Sequence, residues 1–493
     1  MFTKEEIVKS VPQTGFVGQP KGLFTLFFTE FWERFSYYGM RAILLFYMYY
    51  SVKDGGLGLD RTQANIIMSL YGSLIYMSGI IGGWIADRIL GTRKAIFYGG
   101  ILIMLGHIAL ALPLGATGLY ISMVFIIVGT GLLKPNVSAV VGDLYAENDG
   151  RRDAGFSIFY MGINLGAFTS ALITGFVQQK IGFHAGFAVA AVGMAVGLVV
   201  YLWRQKDLGL AGSFAPNPLQ PHERKKTAMM FIGGAVAILV LGFIAKATDT
   251  LTIENFSVLI TILGIAIPTI LITIMYRSNK TTDDEKSRVL AYIPLFVCAV
   301  MFWAIADQSA TILATFVDTR TDLTLGNFEI PAAWFQSLNP MFIIFMAPLF
   351  ALMWTKLGDR GPSTPKKFAL SLFFSGASFL IMIVAIALAG SGLVNPLWVV
   401  ASFFLVVLGE LLLSPVGLSA TTKLAPAAFA GQTMALWFLA SAAAQAINAQ
   451  LVRVYAVVSE TAYFGVLGAL SIALGIILLF MSPMISRAMR GIK

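Results

Sequence analysis

Fourteen apolar runs of about twenty residues recur along this 493-residue chain, each long enough to cross the hydrocarbon core of a bilayer as a helix. Their cores fall near residues 24–49, 62–86, 95–112, 119–142, 155–177, 185–203, 228–247, 257–276, 289–315, 331–355, 368–389, 396–421, 428–451 and 461–483. The runs are too long and continuous for an outer-membrane barrel, whose strands alternate over short stretches. One such run could be a buried core helix, but fourteen leave too little chain to clothe a water-facing surface. Only 12% of the residues are charged, against about 25% in a soluble domain. That poverty of charge also excludes a disordered chain. The single Cys298 excludes a disulfide framework, a Cys-rich zinc site and an iron–sulfur cluster. The chain reads as an all-α, multi-pass membrane protein.

An even number of spans puts both termini on one side. With the N-terminus inside, the inner segments hold 25 basic residues and the outer segments 6, the asymmetry expected when Lys and Arg stay in the cytoplasm. The formal charge of +9 is then mostly a topology signal with contact to anionic headgroups, and no basic tract interleaved with aromatics suggests nucleic acid. Residues 1–22 are polar, lack a cleavable apolar leader and read as a cytoplasmic arm. No loop is long enough for a nucleotide-binding domain, and no GxxxxGK[ST] run exists, which argues against ATP-driven pumping.

Two charged connections, 204–227 and 277–288, bracket a pair of spans near the middle. The chain therefore divides into an arm (1–22), a six-span bundle (23–203), a linker carrying two extra spans (204–288), a second six-span bundle (289–483) and a tail (484–493). A weak repeat supports the division: Gly82-Gly83-Trp84-Ile85-Ala86-Asp87-Arg88 follows the second span, and Gly358-Asp359-Arg360-Gly361 takes the equivalent place in the second half. Paired halves are the usual internal symmetry of secondary transporters. Asp87, Arg88 and Arg93 are expected to latch neighbouring helix ends.

Seven ionisable residues lie where lipid should be: Glu30, Glu33, Arg34, Arg41, Lys134, Asp307 and Glu410. Each would be costly facing lipid, so they are expected to face a bundle interior or a wet cavity. Glu30, Glu33, Arg34, Tyr37 and Arg41 share one helical face. Four carboxylates face three bases, so one bound proton would neutralise the set, and crowded carboxylates favour its uptake. Lys134-Pro135 and Glu410 to Pro415 place proline beside charge within a span, where it kinks a helix; Pro294 and Pro340 are expected to do the same. Asn164, Tyr71 and Tyr76 add polar groups, while Phe27, Phe28 and Phe46 are expected to face lipid and His107 to be packed. Acids at one end of a cavity, bases at the other and tyrosines between them suit a zwitterion. Its ammonium would seek Glu410 or Asp307, and its carboxylate Arg41 and Lys134.

The run Glu30-Phe31-Trp32-Glu33-Arg34-Phe35-Ser36-Tyr37-Tyr38-Gly39 closely resembles the ExxERFxYYG motif of the proton-dependent oligopeptide transporter family, within the major facilitator superfamily. Phe159 to Gly166, Gly129 to Ser138, Phe302-Trp303, Gln336 to Pro340 and Glu410 to Gly417 resemble further family segments, and residues 82–94 resemble the superfamily's loop motif. The resemblance implies the major facilitator fold with fourteen transmembrane helices arranged 6 + 2 + 6. It implies proton-coupled import of di- and tripeptides across a bacterial cytoplasmic membrane by alternating access. The residues themselves suggest no metal, cofactor or enzymatic activity, and nothing in them requires more than a monomer. Arg41 and Lys134 would face the peptide carboxylate and Glu410 its amine. Tyr37, Tyr38, Tyr76, Asn164, Asn339 and Trp437 would line the cavity. Glu30, Glu33 and Arg34 would couple proton movement to Lys134, and Arg41–Asp307 and Lys134–Glu410 would act as gates. The family's usual Glu is Asp at 307, one methylene shorter, so a direct bond to Arg41 would need closer bundles or a bridging water. Four other readings compete. One is a proton-coupled carrier of another small zwitterion or of an anion such as nitrate, though an anion carrier has no use for Glu410. A drug antiporter would have fewer bases in its pocket. A non-transporting peptide sensor would not need the coupling carboxylates. An intramembrane enzyme would need a nucleophile with a positioned base or a metal-ligand cluster.

Overall fold

The computed structural model describes residues 3–146 and 149–491, and most of them are helical. The order is α1 (Lys4–Ser10), α2 (Lys21–Tyr49), α3 (Arg61–Ile85), α4 (Thr92–Ala111), α5 (Gly115–Asp143), α6 (Arg152–Lys180), α7 (Phe183–Arg204), α8 (Pro221–Ala247), α9 (Ile253–Arg277), α10 (Asp283–Ala306), α11 (Ile312–Arg320), α12 (Leu338–Leu357), α13 (Thr364–Ala389), α14 (Pro396–Leu424), α15 (Ala430–Tyr455) and α16 (Glu460–Ala488). Every apolar run of the sequence lies in this series. The starts follow local chemistry. Thr282 and Glu285 cap α10 reciprocally, and Asn395 caps α14 with Pro396 in its first turn, each satisfying amide donors that a helix start leaves open.

Among the described residues, thirteen helical segments are long and apolar enough to span a membrane. The fourteenth run is α2, whose 29 residues give a length of about 43 Å at 1.5 Å per residue. Length is not its shortfall: Glu30, Glu33, Arg34 and Arg41 are the charges that set it apart.

Three further departures have physical reasons. The run 289–315 is two helices, because α10 stops at Ala306 and a 3-10 turn, Asp307–Ala310, precedes α11. Pro340 introduces no mid-helix kink: it is the third residue of α12, after a 3-10 turn Ala332–Ser337, where the missing N–H has no intrahelical partner to lose. Phe46 is core rather than lipid-facing, 3% exposed and packed on Tyr49 and Tyr50. Outside the helices, β1 (Thr324–Leu325) and β2 (Phe328–Glu329) form a tight hairpin turned through Gly326, which has φ +62°.

Two compact units emerge. The first comprises residues 1–33, 77–163 and 191–260. Its core joins Leu23 and Leu26 to Ile96, Leu133, Val137, Met194 and Leu198. Here α4 and α5 approach backbone to backbone: a Cβ on Gly99 would stand 2.6 Å from the Gly129 carbonyl oxygen, and one on Gly129 would stand 2.7 Å from that of Gly99. The N-terminal arm is tied down. Lys4 Nζ meets Asp143 at 2.9 Å, Tyr145 donates to Gln19 at 2.9 Å, and Arg151 donates to the Gln13 side chain at 2.8 Å. The same Arg151 hydrogen-bonds Asp149 and holds its carboxyl below the usual range.

The Asp87–Arg93 region is bonded to residues 205–223. Residues Ala86–Leu90 form a π-helical turn. The Asp87 and Arg88 carbonyls accept from the amides of Asn217 and Leu219, each at 3.0 Å. Arg88 pairs with Glu223 at 2.7 Å, and Arg93 donates to Gly209 O, Ser213 Oγ and Gln205 O. The second copy of the repeat forms a 3-10 turn, Gly358–Arg360. Helix α8 has no buried residue.

The second unit comprises residues 34–76, 164–190 and 261–493. Its helices α13 and α16 again meet through glycines, with the would-be Cβ of Gly376 at 2.7 Å from Gly468 O. Helix α9 packs on α15, where Thr261 donates to Ala446 O and accepts from Gln450, both at 2.9 Å.

Candidate functional site

The charged stripe of α2 is buried. Glu30, Glu33 and Arg34 are 4%, 0% and 2% exposed, and Tyr37 and Gly39 on the same helix are buried too. A continuous helix places these side chains on one face, so the stripe reads from acid to base along one line. Glu30 and Glu33 belong to the first unit with half-buried Lys134, which stands on α5 beside Pro135, a proline inside that helix. Arg34 belongs to the second. Its guanidinium carbon lies 5.7 Å from the Tyr37 ring centre and 6.0 Å from that of Tyr38, and the two rings are T-shaped at 5.2 Å. A guanidinium over aromatic faces is attracted by the ring quadrupoles.

The second unit also brings together most of the expected ligand-facing groups. Arg41 interacts electrostatically with Tyr37, Asp307, Tyr38 and Tyr76. The Asp307 carboxylate acts in turn on Tyr76 and on Glu410. Glu410, on α14, accepts a hydrogen bond of 2.9 Å from Asn339 Nδ2, on the first turn of α12. The 3-10 turn before α12 and the proline after Asn339 put that amide at a helix start. Pro415 lies within α14 and is exposed. Trp437 is buried against α14, where a side chain on Gly417 would run into its indole. Asn164 is buried on α6. The result is a guanidinium whose charge is felt by three phenols and one carboxylate, and a second carboxylate steadied by one amide, all carried by the same unit. Such a pair can read an anion and a cation on one ligand.

His107 is fully buried on α4 and takes no part in this arrangement. Among the described residues no group of three or more His, Cys, Asp or Glu could hold a metal ion.

One cluster escaped the sequence reading. Tyr49 and Tyr50, at the end of α2, both donate to Asp318 of α11, each at 2.6 Å, and Arg61 lies 5.6 Å from the Tyr49 ring centre. Nearby, Asn65 donates to Thr315 at 3.0 Å and Ser73 to Ala442 O at 2.8 Å. From α6, the carbonyls of Leu172 and Phe168 accept from Trp334 Nε1 and Ser337 Oγ at 3.0 and 2.8 Å. These contacts tie α2, α3 and α6 to α11, α15 and the turn before α12. The only sequence signal was polar residues at the ends of apolar runs, which ordinarily mark loops.

Residues 93–485 match the sequence profile of the POT family. The ExxERFxYYG-like run lies before that match, so the two are independent. A transporter of Bacillus subtilis (strain 168), YclF, itself uncharacterized, is 60% identical over 489 residues, covering 99% of both chains. A di-/tripeptide transporter of Lactococcus lactis subsp. cremoris is 46% identical over 488 residues, 97% of this chain and 98% of the relative. The crystal structure of a peptide transporter POT in complex with sulfate superposes with a TM-score of 0.97 at 62% identity, covering all of both chains. With the major facilitator fold and the whole length matched, this multi-pass membrane chain belongs to the POT family.

Proposed function

We propose that the protein imports di- and tripeptides together with protons, by alternating access across a bacterial cytoplasmic membrane, with both termini in the cytoplasm. The observation that carries this reading is the pairing, within one unit, of Glu410, held by Asn339 at 2.9 Å, with Arg41, which interacts electrostatically with Tyr37, Tyr38, Tyr76 and Asp307. Every short peptide offers a carboxylate and an ammonium, and little else is common to all of them. A site that fixes only those two ends leaves side chains free and accepts many sequences. The names of the relatives, transporters of di- and tripeptides and of peptides, support the substrate class.

Coupling falls to the buried carboxylates. Glu30 and Glu33 stand on one helical face with Arg34, and Lys134 shares their unit. Moving a proton onto a buried carboxylate changes the charge balance against its cationic neighbours, which lets the empty and loaded carriers differ by one proton. Asp307 plays the matching part opposite Arg41: a peptide carboxylate competing for the guanidinium loosens its hold on Asp307. The contacts from Tyr49, Tyr50, Asn65 and Trp334 close one end. The basic-residue asymmetry assigns that end to the outside. Nothing in the mechanism calls for a second copy of the chain.

Replacing Glu33 by Gln tests the coupling. In proteoliposomes the variant should lose accumulation of dialanine driven by a proton gradient and keep peptide counterflow exchange, which needs no net proton movement. Retained accumulation would refute the assignment. A non-transporting sensor would show neither activity in the unsubstituted protein. A small-anion carrier is disfavoured by Glu410, a carboxylate that would repel its cargo.

A further inference from the structure

The break in the ninth span has no proline and no glycine to explain it: residues 302–312 read Phe-Trp-Ala-Ile-Ala-Asp-Gln-Ser-Ala-Thr-Ile. Yet α10 ends at Ala306, Asp307–Ala310 form a 3-10 turn, and Thr311 takes φ −128° and ψ −102° before α11 begins. A break inside a membrane frees backbone groups that lipid cannot satisfy, so side chains must hold it. Two glutamines do. Gln336 donates to the Ser309 carbonyl at 2.6 Å. Gln308 is fully buried and uses both ends of its amide. Its Nε2 donates to Ala304 O at 3.0 Å and to Asn448 Oδ1 of α15 at 3.3 Å, and its Oε1 accepts from the Tyr463 hydroxyl of α16 at 2.9 Å. Tyr463 is itself fixed by the Tyr455 ring, T-shaped at 5.0 Å.

Gln308 follows Asp307 directly. In a 3-10 turn successive side chains diverge by about a third of a turn, so anchoring Gln308 onto α15 and α16 sets the direction in which Asp307 leaves the backbone. That direction matters more for Asp than for Glu, because the shorter side chain has one torsion fewer with which to correct a displaced backbone. Asp307 is the carboxylate whose charge acts on Arg41, Tyr76 and Glu410.

We propose that Gln308, clamped by Asn448 and Tyr463, is a positioning residue for coupling: it holds the helix break so that Asp307 is presented to Arg41. The inference rests on the reading of the protein as a proton-coupled peptide importer.

The test uses the full chain in proteoliposomes with dialanine, comparing gradient-driven accumulation with counterflow. Tyr463→Phe removes one hydroxyl from the clamp and little volume, and Asn448→Ala removes the second partner. Each should lower accumulation about fivefold, the factor that one neutral hydrogen bond contributes, with counterflow and melting temperature close to the unsubstituted protein. Asp307→Glu in the Tyr463→Phe background should restore accumulation, because the added methylene compensates for a loosened backbone. Three results would overturn the proposal: accumulation unchanged in both single variants, accumulation and counterflow falling together in step with the melting temperature, or no recovery with the longer carboxylate. If the unsubstituted protein exchanges dialanine but accumulates none under a gradient, the importer reading itself fails, and this inference with it.

Discussion

Loss of the Tyr50 hydroxyl should weaken the closure that we assign to Asp318. Tyr49 and Tyr50 each donate a 2.6 Å hydrogen bond to that carboxylate, the length of a strong O–H···O⁻ bond. Hydrogen bonds to charged groups contribute about 1.5–3 kcal/mol each; Asp318 is half-buried, so water keeps its bonds near the lower figure. Tyr50→Phe therefore removes about 1.5 kcal/mol of closure, a shift of roughly tenfold between closed and open populations. Removing both hydroxyls in Tyr49→Phe/Tyr50→Phe shifts it further, by less than the product of the single changes because the two bonds share one acceptor. Spin labels at Lys53 and Thr324, both exposed, flank the contact, and pulsed electron spin resonance reads their distance distribution. The variants should gain a longer-distance population in the order single, then double. The same distribution in all three proteins would refute the claim that this carboxylate holds the end shut.

Two other perturbations test separate parts of the account. Asn339→Ala removes the amide that steadies Glu410 at 2.9 Å; it should raise the KM for dialanine several-fold, and the same loss should appear for tripeptides because the role proposed for Glu410 concerns the shared amine. Gly376→Ala would place a methyl 2.7 Å from the Gly468 carbonyl, forcing α13 from α16 at a cost of about 1–3 kcal/mol. A lowered melting temperature with unchanged KM is the expected readout.

The sequence disclosed the solvent, the helices and the charged stripe, because each is written in local pattern. Twenty apolar residues have one use in a bilayer, and a charge among them is conspicuous. It disclosed Glu30, Glu33, Arg34 and Tyr37 as one face because a single helix carries all four. The helix break at Asp307 was illegible, since the groups that stabilise it, Gln336, Asn448 and Tyr463, lie 29 to 156 residues further on. Distance in sequence also hid Asp318 as the acceptor for Tyr49 and Tyr50. Pro340 misled because proline has two habitats in helices, the interior and the first turn, and only the boundary of α12 distinguishes them. Phe46 misled because aromatic residues are equally at home in lipid and in a core.

The central claim is that this chain moves protons with short peptides, and proton flux measures it most directly. Purified protein in liposomes loaded with a pH-sensitive dye, given an inward proton gradient, should acidify the interior on addition of external dialanine, and the same should follow with trialanine. The Glu33→Gln variant should show no peptide-stimulated acidification. Peptide entry without acidification, or no response of the unsubstituted protein to either peptide, would contradict the account.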